Sequence, residues 1–277
     1  RKRIMPELPE VEVTRLGLAP LINGIVYNVK VRNFSLRWPV NPNLKKILNS
    51  QKLISLSRRG KYLLAGFSSG YLIMHLGMSG RISIVSEKNS ALKHDHIDIC
   101  FEVDGNKKIL RYNDTRRFGA MIWTDESPFN HKLISNLGPE PLSNEFNTNY
   151  LFRIVKRKKQ PIKSSIMDSH IVVGVGNIYA SESLFLAGIR PHRRSEKIKK
   201  KEIRVLVDSI KVVIQKAIER GGSTLNDFYS VNGQSGYFQN EHKVYARENE
   251  CCTNCDGKIY LVKIAQRSSF YCKKCQI

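Results

Sequence analysis

The feature that most constrains this chain is Cys252-x2-Cys255-x16-Cys272-x2-Cys275, close to its C-terminus. Two near cysteine pairs at this separation suit one tetrahedral Zn²⁺ held by four thiolates. Each pair spans a tight knuckle, and the stretch between them can form a hairpin that brings the pairs together. Four protein ligands leave no position for water, so the single Zn²⁺ expected here is structural rather than catalytic. Cys251 adjoins the first ligand and competes with Cys252, but the two-residue spacing favours Cys252. Cys100 lies in an alternating run and reads as a small buried hydrophobe. Six cysteines, four of them in a ligand pattern, fit a reducing compartment.

The remainder is large enough for two domains with cores of their own, at 277 residues and 41% hydrophobic content. No apolar run approaches the length of about 18 residues that a membrane span needs. Arg1-Lys2-Arg3-Ile4 has no apolar segment behind it of the kind a secretion signal carries. The formal net charge is +22. Residues 1–150 hold 22 Lys and Arg against 13 Asp and Glu, and residues 151–277 hold 24 against 11. Both halves are basic, which points to a polyanion touching both. Nucleic acid is the first candidate, because phosphates neutralised by Lys and Arg release counterions. The plain alternative is a generally soluble basic protein.

The first half reads as mostly β. Tyr62 to Phe67, Tyr71 to Leu76, Ile97 to Val103, Lys108 to Tyr112 and Ala120 to Trp123 are short apolar or alternating runs. Ser68-Ser69-Gly70 and Asp104-Gly105-Asn106 punctuate them. Strands at this spacing suggest a sandwich or a flattened barrel, and periodicity leaves that choice open. A helix is expected to precede them, starting near Glu7, with Pro6 and Pro9 in its first turn and Glu7, Glu10 and Glu12 at its positive end. Leu137-Gly138-Pro139-Glu140-Pro141-Leu142 is a natural linker. Beyond it, Ile203, Leu206, Val207, Ile210, Val213, Ile214, Ala217 and Ile218 recur at helical steps, and Gly221-Gly222 follows as a stop.

Met5-Pro6-Glu7 carries the strongest chemical hint. A proline after an initiator Met leaves that Met open to removal, and the mature chain then begins with a secondary amine. Such a nitrogen attacks an aldehyde-like sugar carbon and forms an iminium. At a helix start its neutral, reactive fraction rises, and Glu7 beside it could move protons. Taken alone, Pro6 reads first as a helix starter. Four residues precede Met5, and if retained they turn the nitrogen into an unreactive amide. The expectation is that Arg1 to Met5 are absent from the mature protein.

Met5-Pro6-Glu7-Leu8-Pro9-Glu10-Val11-Glu12 and the cysteine pattern resemble the formamidopyrimidine-DNA glycosylase family, bacterial base-excision enzymes for oxidised purines. So do Arg58-Arg59-Gly60-Lys61-Tyr62-Leu63-Leu64, His75-Leu76-Gly77-Met78-Ser79-Gly80, Lys93-His94-Asp95-His96 and Asp114-Thr115-Arg116-Arg117-Phe118-Gly119. The linker, Val173-Gly174-Val175-Gly176-Asn177-Ile178-Tyr179-Ala180-Ser181-Glu182 and Ala265-Gln266-Arg267 complete a match running from Met5 to Cys275. The resemblance implies an α+β fold. An N-terminal β-sandwich or flattened barrel with flanking helices occupies residues 1–136. A linker at 137–148 leads to a helical helix–two-turn–helix domain at 149–242, and the four-cysteine zinc finger occupies 243–277.

The resemblance also implies a bifunctional reaction on damaged double-stranded DNA. Pro6 attacks C1′ of the damaged nucleotide, Glu7 donates a proton, and the base leaves. The strand then breaks by β-elimination, assigned to Lys61, and δ-elimination, assigned to Arg267. Two cations near phosphates stabilise leaving charge whatever their proton role. Chemistry on a stacked base requires its extrusion, and Met78, Arg116 and Phe118 match the family's intercalating trio. For Met78 and Phe118 the alternative is ordinary core packing. His94, Arg116 and Lys159 match DNA-contacting positions, with Lys163 and Asn177 expected on the backbone as well. Lys156-Arg157-Lys158-Lys159 is by itself an ordinary solvated charge run. Helices are expected at Pro161 to Asp168 and Ile178 to Leu186, flanking the glycine-rich turn. Asn232-Gly233-Gln234-Ser235-Gly236-Tyr237-Phe238 matches a loop that closes over the extruded base. The protein is expected to be a monomer in the bacterial cytoplasm, on the nucleoid. Two other readings stand beside this one: the related endonuclease VIII, acting on oxidised pyrimidines, and a non-catalytic binder of damaged DNA. Leu8 after Pro6-Glu7, with the Met78, Arg116 and Phe118 set, favours the purine enzyme.

Overall fold

The computed structural model describes residues 5–223 and 238–277. The loop expected at Asn232 to Phe238 therefore lies, but for Phe238, outside the described residues. The described chain forms two compact units. One holds residues up to Ser135 and the short stretch from Gly221, and the other holds Asn136–Arg220 and the residues from Phe238 onward.

The first unit begins with helix α1 (Leu8–Gly17). Glu7 is its N-cap, and the Glu10 carboxylate reaches back to accept the Glu7 N–H at 2.9 Å, which satisfies a donor the helix leaves unpaired. Strand β1 (Ile25–Val31) and the short helix α2 (Leu44–Leu48) lead into β2 (Leu53–Arg59), β3 (Tyr62–Phe67), β4 (Gly70–His75) and β5 (Gly80–Val85). Then come β6 (Asp95–Val103), β7 (Asn106–Asp114) and β8 (Ala120–Thr124). Two antiparallel sheets result, ordered β1-β6-β7-β5 and β2-β3-β4-β8. Asp104 and Gly105 both take left-handed backbone angles (φ 50° and 74°), the pairing a two-residue hairpin needs to match strand twist, and they close β6 onto β7.

Alternation aims one face of each sheet into a shared core. Leu63, Ala65 and Phe67 of β3 and Leu72 and Met74 of β4 meet Ile97, Ile99, Phe101 and Val103 of β6, with Val11 of α1 beside them. The choice between sandwich and barrel is thereby answered: two separate sheets face each other, joined at one corner by a bridge between Ile25 and Lys52. Cys100 is buried on β6, as expected. Both tryptophans, Trp38 and Trp123, lie in this unit. The Trp123 ring packs on the core 6.0 Å from Phe67, and the Arg37 guanidinium sits 4.7 Å over Trp38.

The second unit is helical with a terminal hairpin. Helix α3 (Thr148–Val155) is capped by the Asn147 side chain, which accepts the Tyr150 N–H at 3.0 Å. Helices α4 (Ile162–Ile166) and α5 (Asn177–Leu186) flank the glycine-rich turn, with α4 shorter than its expected span. Helix α6 (Lys200–Glu219) buries Ile203, Leu206, Val207, Ile210, Val213, Ile214 and Ala217 along one face, and Gly221 follows it at φ 75°. Strands β9 (Ile259–Ile264) and β10 (Arg267–Cys272) form an antiparallel hairpin between the cysteine pairs. Phe185, Val244, Ile259 and Phe270 join Cys252 and Cys272 in a small core beneath it.

Candidate nucleic-acid interface and metal centre

In the first unit, Pro6 and Glu7 are buried at the start of α1. Glu10, 1% exposed, spans two neighbours. One oxygen accepts the Glu7 N–H, and the other accepts the Ser223 N–H at 2.7 Å. Lys61 sits in the tight turn between β2 and β3, where Gly60 takes φ 57°. That turn is tied to α1 by Arg58, which donates to Glu12 at 2.8 Å and to the Gly60 carbonyl at 3.0 Å. Burial pushes the Glu12 carboxyl up, but hydrogen bonds from Arg15 and Arg58 outweigh it and hold the group below its usual range. His75, at the end of β4, accepts the Gly77 N–H on Nδ1 at 3.0 Å, as a neutral imidazole does. Burial, helped by the charges of Lys61 and Arg37, brings it down to about 4.

The residues expected to intercalate stand on two neighbouring loops. Phe118 is 43% exposed and Met78 is half-buried, so core packing does not explain either. Arg116 is exposed, and its guanidinium lies 4.7 Å over the Phe118 ring. A cleft of ≈ 450 Å³ beside them is lined by Ser35, Leu36, Arg37, Arg116, Arg117 and Phe118. His94 is half-buried before β6, and its carbonyl accepts the Asp114 N–H at 3.0 Å.

In the second unit, Lys163 of α4 is 1% exposed. Its ammonium donates to Asn177 Oδ1 at 2.7 Å, the Ser268 carbonyl at 3.1 Å and Ser269 Oγ at 2.8 Å. One buried cation thus joins α4, the start of α5 and the hairpin. Arg267 is exposed at the hairpin tip, where Ala265 and Gln266 both hold left-handed angles (φ 45° and 60°). A non-glycine residue pays for this geometry with strain of about 1–2 kcal/mol each. A smaller cleft of ≈ 160 Å³ is lined by residues that include Lys163, Met167 and Arg267. Lys159 is exposed in the connection between α3 and α4.

The four cysteine sulfurs lie within 4.8 Å of one another. Cys255 and Cys272 are 3.5 Å apart, and Cys252 and Cys275 are 3.8 Å apart. Four thiolates at about 2.3 Å from a tetrahedral ion stand about 3.8 Å from each other, so the cluster fits a metal and not a disulfide. Cys251 is exposed and outside the cluster, as the spacing indicated. Sequence reading did not single out Ser79, Asp114, Glu10 or the burial of Lys163; the bonds Ser79–Asp114, Lys163–Ser269 and Glu10–Ser223 join positions 35, 106 and 213 apart.

Exposed arginines and an aromatic ring beside a cleft on the sandwich, with a helical unit ending in a hairpin of four clustered cysteines, have the chemistry of the nucleic-acid-binding class. The known relatives make this specific. The formamidopyrimidine-DNA glycosylase N-terminal domain matches residues 5–121, and the H2TH domain of the same enzymes matches residues 137–229. The formamidopyrimidine-DNA glycosylase of Neisseria meningitidis is 48% identical, covering 98% of this chain and 100% of its own. That of Legionella pneumophila is 50% identical, covering 98% of each. Among solved structures, a Lactococcus lactis FPG mutant bound to DNA containing Fapy-dG superposes with a TM-score of 0.89 at 32% identity, over 98% of this chain and 99% of that one. MutM (FPG) from Thermus thermophilus gives 0.85 at 34%, over 98% of both. This chain belongs to the formamidopyrimidine-DNA glycosylase family.

Proposed function

We propose that the protein is a bifunctional DNA glycosylase and AP lyase that removes oxidised purines, including formamidopyrimidines and 8-oxoguanine, from duplex DNA. The observation that carries this reading is membership along the whole chain: both family domains match in order, and the relatives are covered end to end.

The chemistry begins at Pro6 once Arg1 to Met5 are gone. Its nitrogen lone pair attacks C1′ of the extruded nucleotide, the glycosidic bond breaks, and Glu7 supplies a proton as the sugar ring opens. The iminium so formed acidifies C2′. Loss of that proton expels the 3′ phosphate, and a second elimination expels the 5′ phosphate. Lys61 and Arg267 stabilise the charge on the departing phosphates. Arg58 and Glu12 support the Lys61 turn, and the Lys163 bonds support Asn177 and the hairpin that carries Arg267.

Met78, Arg116 and Phe118 fill the space the nucleotide leaves, and His94, Lys159, Lys163 and Asn177 serve the phosphate backbone, Lys163 by aiming Asn177. The metal is one Zn²⁺ on Cys252, Cys255, Cys272 and Cys275, and it supplies folding rather than reaction chemistry. No helix among the described residues is long and apolar enough to cross a membrane. The reading places the protein as a monomer on DNA in the bacterial cytoplasm.

Borohydride trapping tests it. Protein whose N-terminal residue is verified as Pro6 is incubated with duplex 8-oxoguanine opposite cytosine, and separately with thymine glycol. A covalent adduct mapped to Pro6 on the first duplex is expected. No adduct would make the chain a binder only, and preference for thymine glycol would make it a pyrimidine enzyme.

A further inference from the structure

We infer that Asp114 is a positioning residue that locks together the two loops bearing Met78, Arg116 and Phe118, and so sets the wedge that enters the duplex. The inference rests on the reading of those three residues given above.

Asp114 is fully buried at the end of β7. A carboxylate in such a place is costly unless its oxygens are hydrogen-bonded. Here they accept four hydrogen bonds, all from neutral donors. Oδ1 accepts Ser79 Oγ–H at 2.6 Å and the Arg116 N–H at 3.2 Å. Oδ2 accepts Tyr112 O–H at 2.9 Å and the Gly119 N–H at 2.9 Å. Ser79 follows Met78 directly, and its hydroxyl also accepts the Arg116 N–H at 3.0 Å. One side chain therefore holds the residue beside Met78, the backbone of Arg116 and the residue after Phe118.

The backbones of the two loops are correspondingly close. A β-carbon on Gly77 would collide with the Phe118 backbone, and one on Gly119 would strike the His75 carbonyl and the Tyr112 hydroxyl. Arg117, between two of the wedge residues, takes a left-handed φ of 57°, a strained geometry that needs its neighbours fixed. A turn-capping aspartate would need only its bond to the N–H two residues on. The bonds to Ser79 and Tyr112 tie the turn to a separate loop and to the sandwich core.

The test uses full-length protein with Pro6 at its terminus and two variants. Asp114→Asn replaces one acceptor oxygen with a donor. Ser79→Ala removes one link and leaves the carboxylate in place, so it carries the test if the first variant fails to fold. Each is measured on a single strand with a preformed abasic site, which needs no wedge, and on duplex 8-oxoguanine with 2-aminopurine beside the lesion. Single-strand nicking within about twofold of wild type is expected, while duplex excision falls about tenfold to a hundredfold for Asp114→Asn and less for Ser79→Ala. The 2-aminopurine unstacking signal falls in parallel. Duplex excision and unstacking at wild-type rates in both variants would overturn the inference. So would equal losses on both substrates, which would mark a merely structural role. Wild-type protein that fails to nick the abasic strand would instead overturn the enzyme reading beneath it.

Discussion

The two units solve the same problem, holding exposed cationic loops in place, by different means. The sandwich has a broad hydrocarbon core drawn from both sheets and from α1. Backbone and side-chain groups of its loops and of the helix start are fastened by buried hydrogen-bond acceptors such as Asp114 and Glu10. The hairpin of the second unit has a small core of Phe185, Val244, Ile259, Phe270 and two cysteines. So little apolar surface cannot hold a strained tip on its own, and four sulfurs supply the rest. A domain with a large core can afford polar anchors. One with a small core needs a covalent or metal staple.

The largest expected effect breaks that contrast directly. Stripping the metal with a chelator, or Cys272→Ser, should unfold the hairpin, where metal binding is worth roughly 10 kcal/mol of folding energy. Affinity for lesion duplex should then drop at least about tenfold while hydrogen exchange in the sandwich strands stays unchanged. Exchange that rises equally in both units would show that they do not fold separately.

Pro6→Gly comes next. Strand cleavage should fall about a thousandfold, some 4 kcal/mol of barrier, with duplex affinity nearly intact by fluorescence anisotropy. Preserved turnover would remove the proline nucleophile. Lys163→Met sharpens the picture within the second unit. Asn177, Ser268 and Ser269 lose their shared donor, and melting should report a loss of about 2–4 kcal/mol with metal content unchanged by elemental analysis.

The smallest effect is a pH dependence common to both units. Burial holds His75 in the first unit and His242 in the second down to about 4, against 6.5 for a free imidazole. As pH falls below about 6.5 the unfolded chain takes up protons that the folded chain refuses. Stability therefore falls toward pH 4, by about 1 kcal/mol per pH unit for each histidine. Urea midpoints measured at pH 7.5, 6 and 5 would check this, and His75→Gln should flatten the slope of the sandwich alone.

Much of this was legible in the residues. The cysteine spacing located the hairpin, and the three- and four-residue steps after Ile203 located α6. Strands β1, β2 and β5 escaped notice; in β1 and β2, register shifts between Val26 and Asn28, and between Leu53 and Ser55, blur the period-two signal on which strand reading depends. The site divides in the same way. Pro6, Lys61, Arg116 and Arg267 stand in local motifs that can be matched. The part played by Asp114 depends on Ser79, 35 positions away, and a lysine buried as deeply as Lys163 runs against the usual exposure of its type. Long-range hydrogen bonding leaves no periodic trace.

The placement of Trp38 and Trp123, both in the sandwich, has a practical consequence for anyone handling this protein. Selectively excited indole emission comes from rings in one unit alone. Native-looking fluorescence is therefore a statement about the sandwich, and the folding of the cysteine hairpin has to be checked by a separate probe.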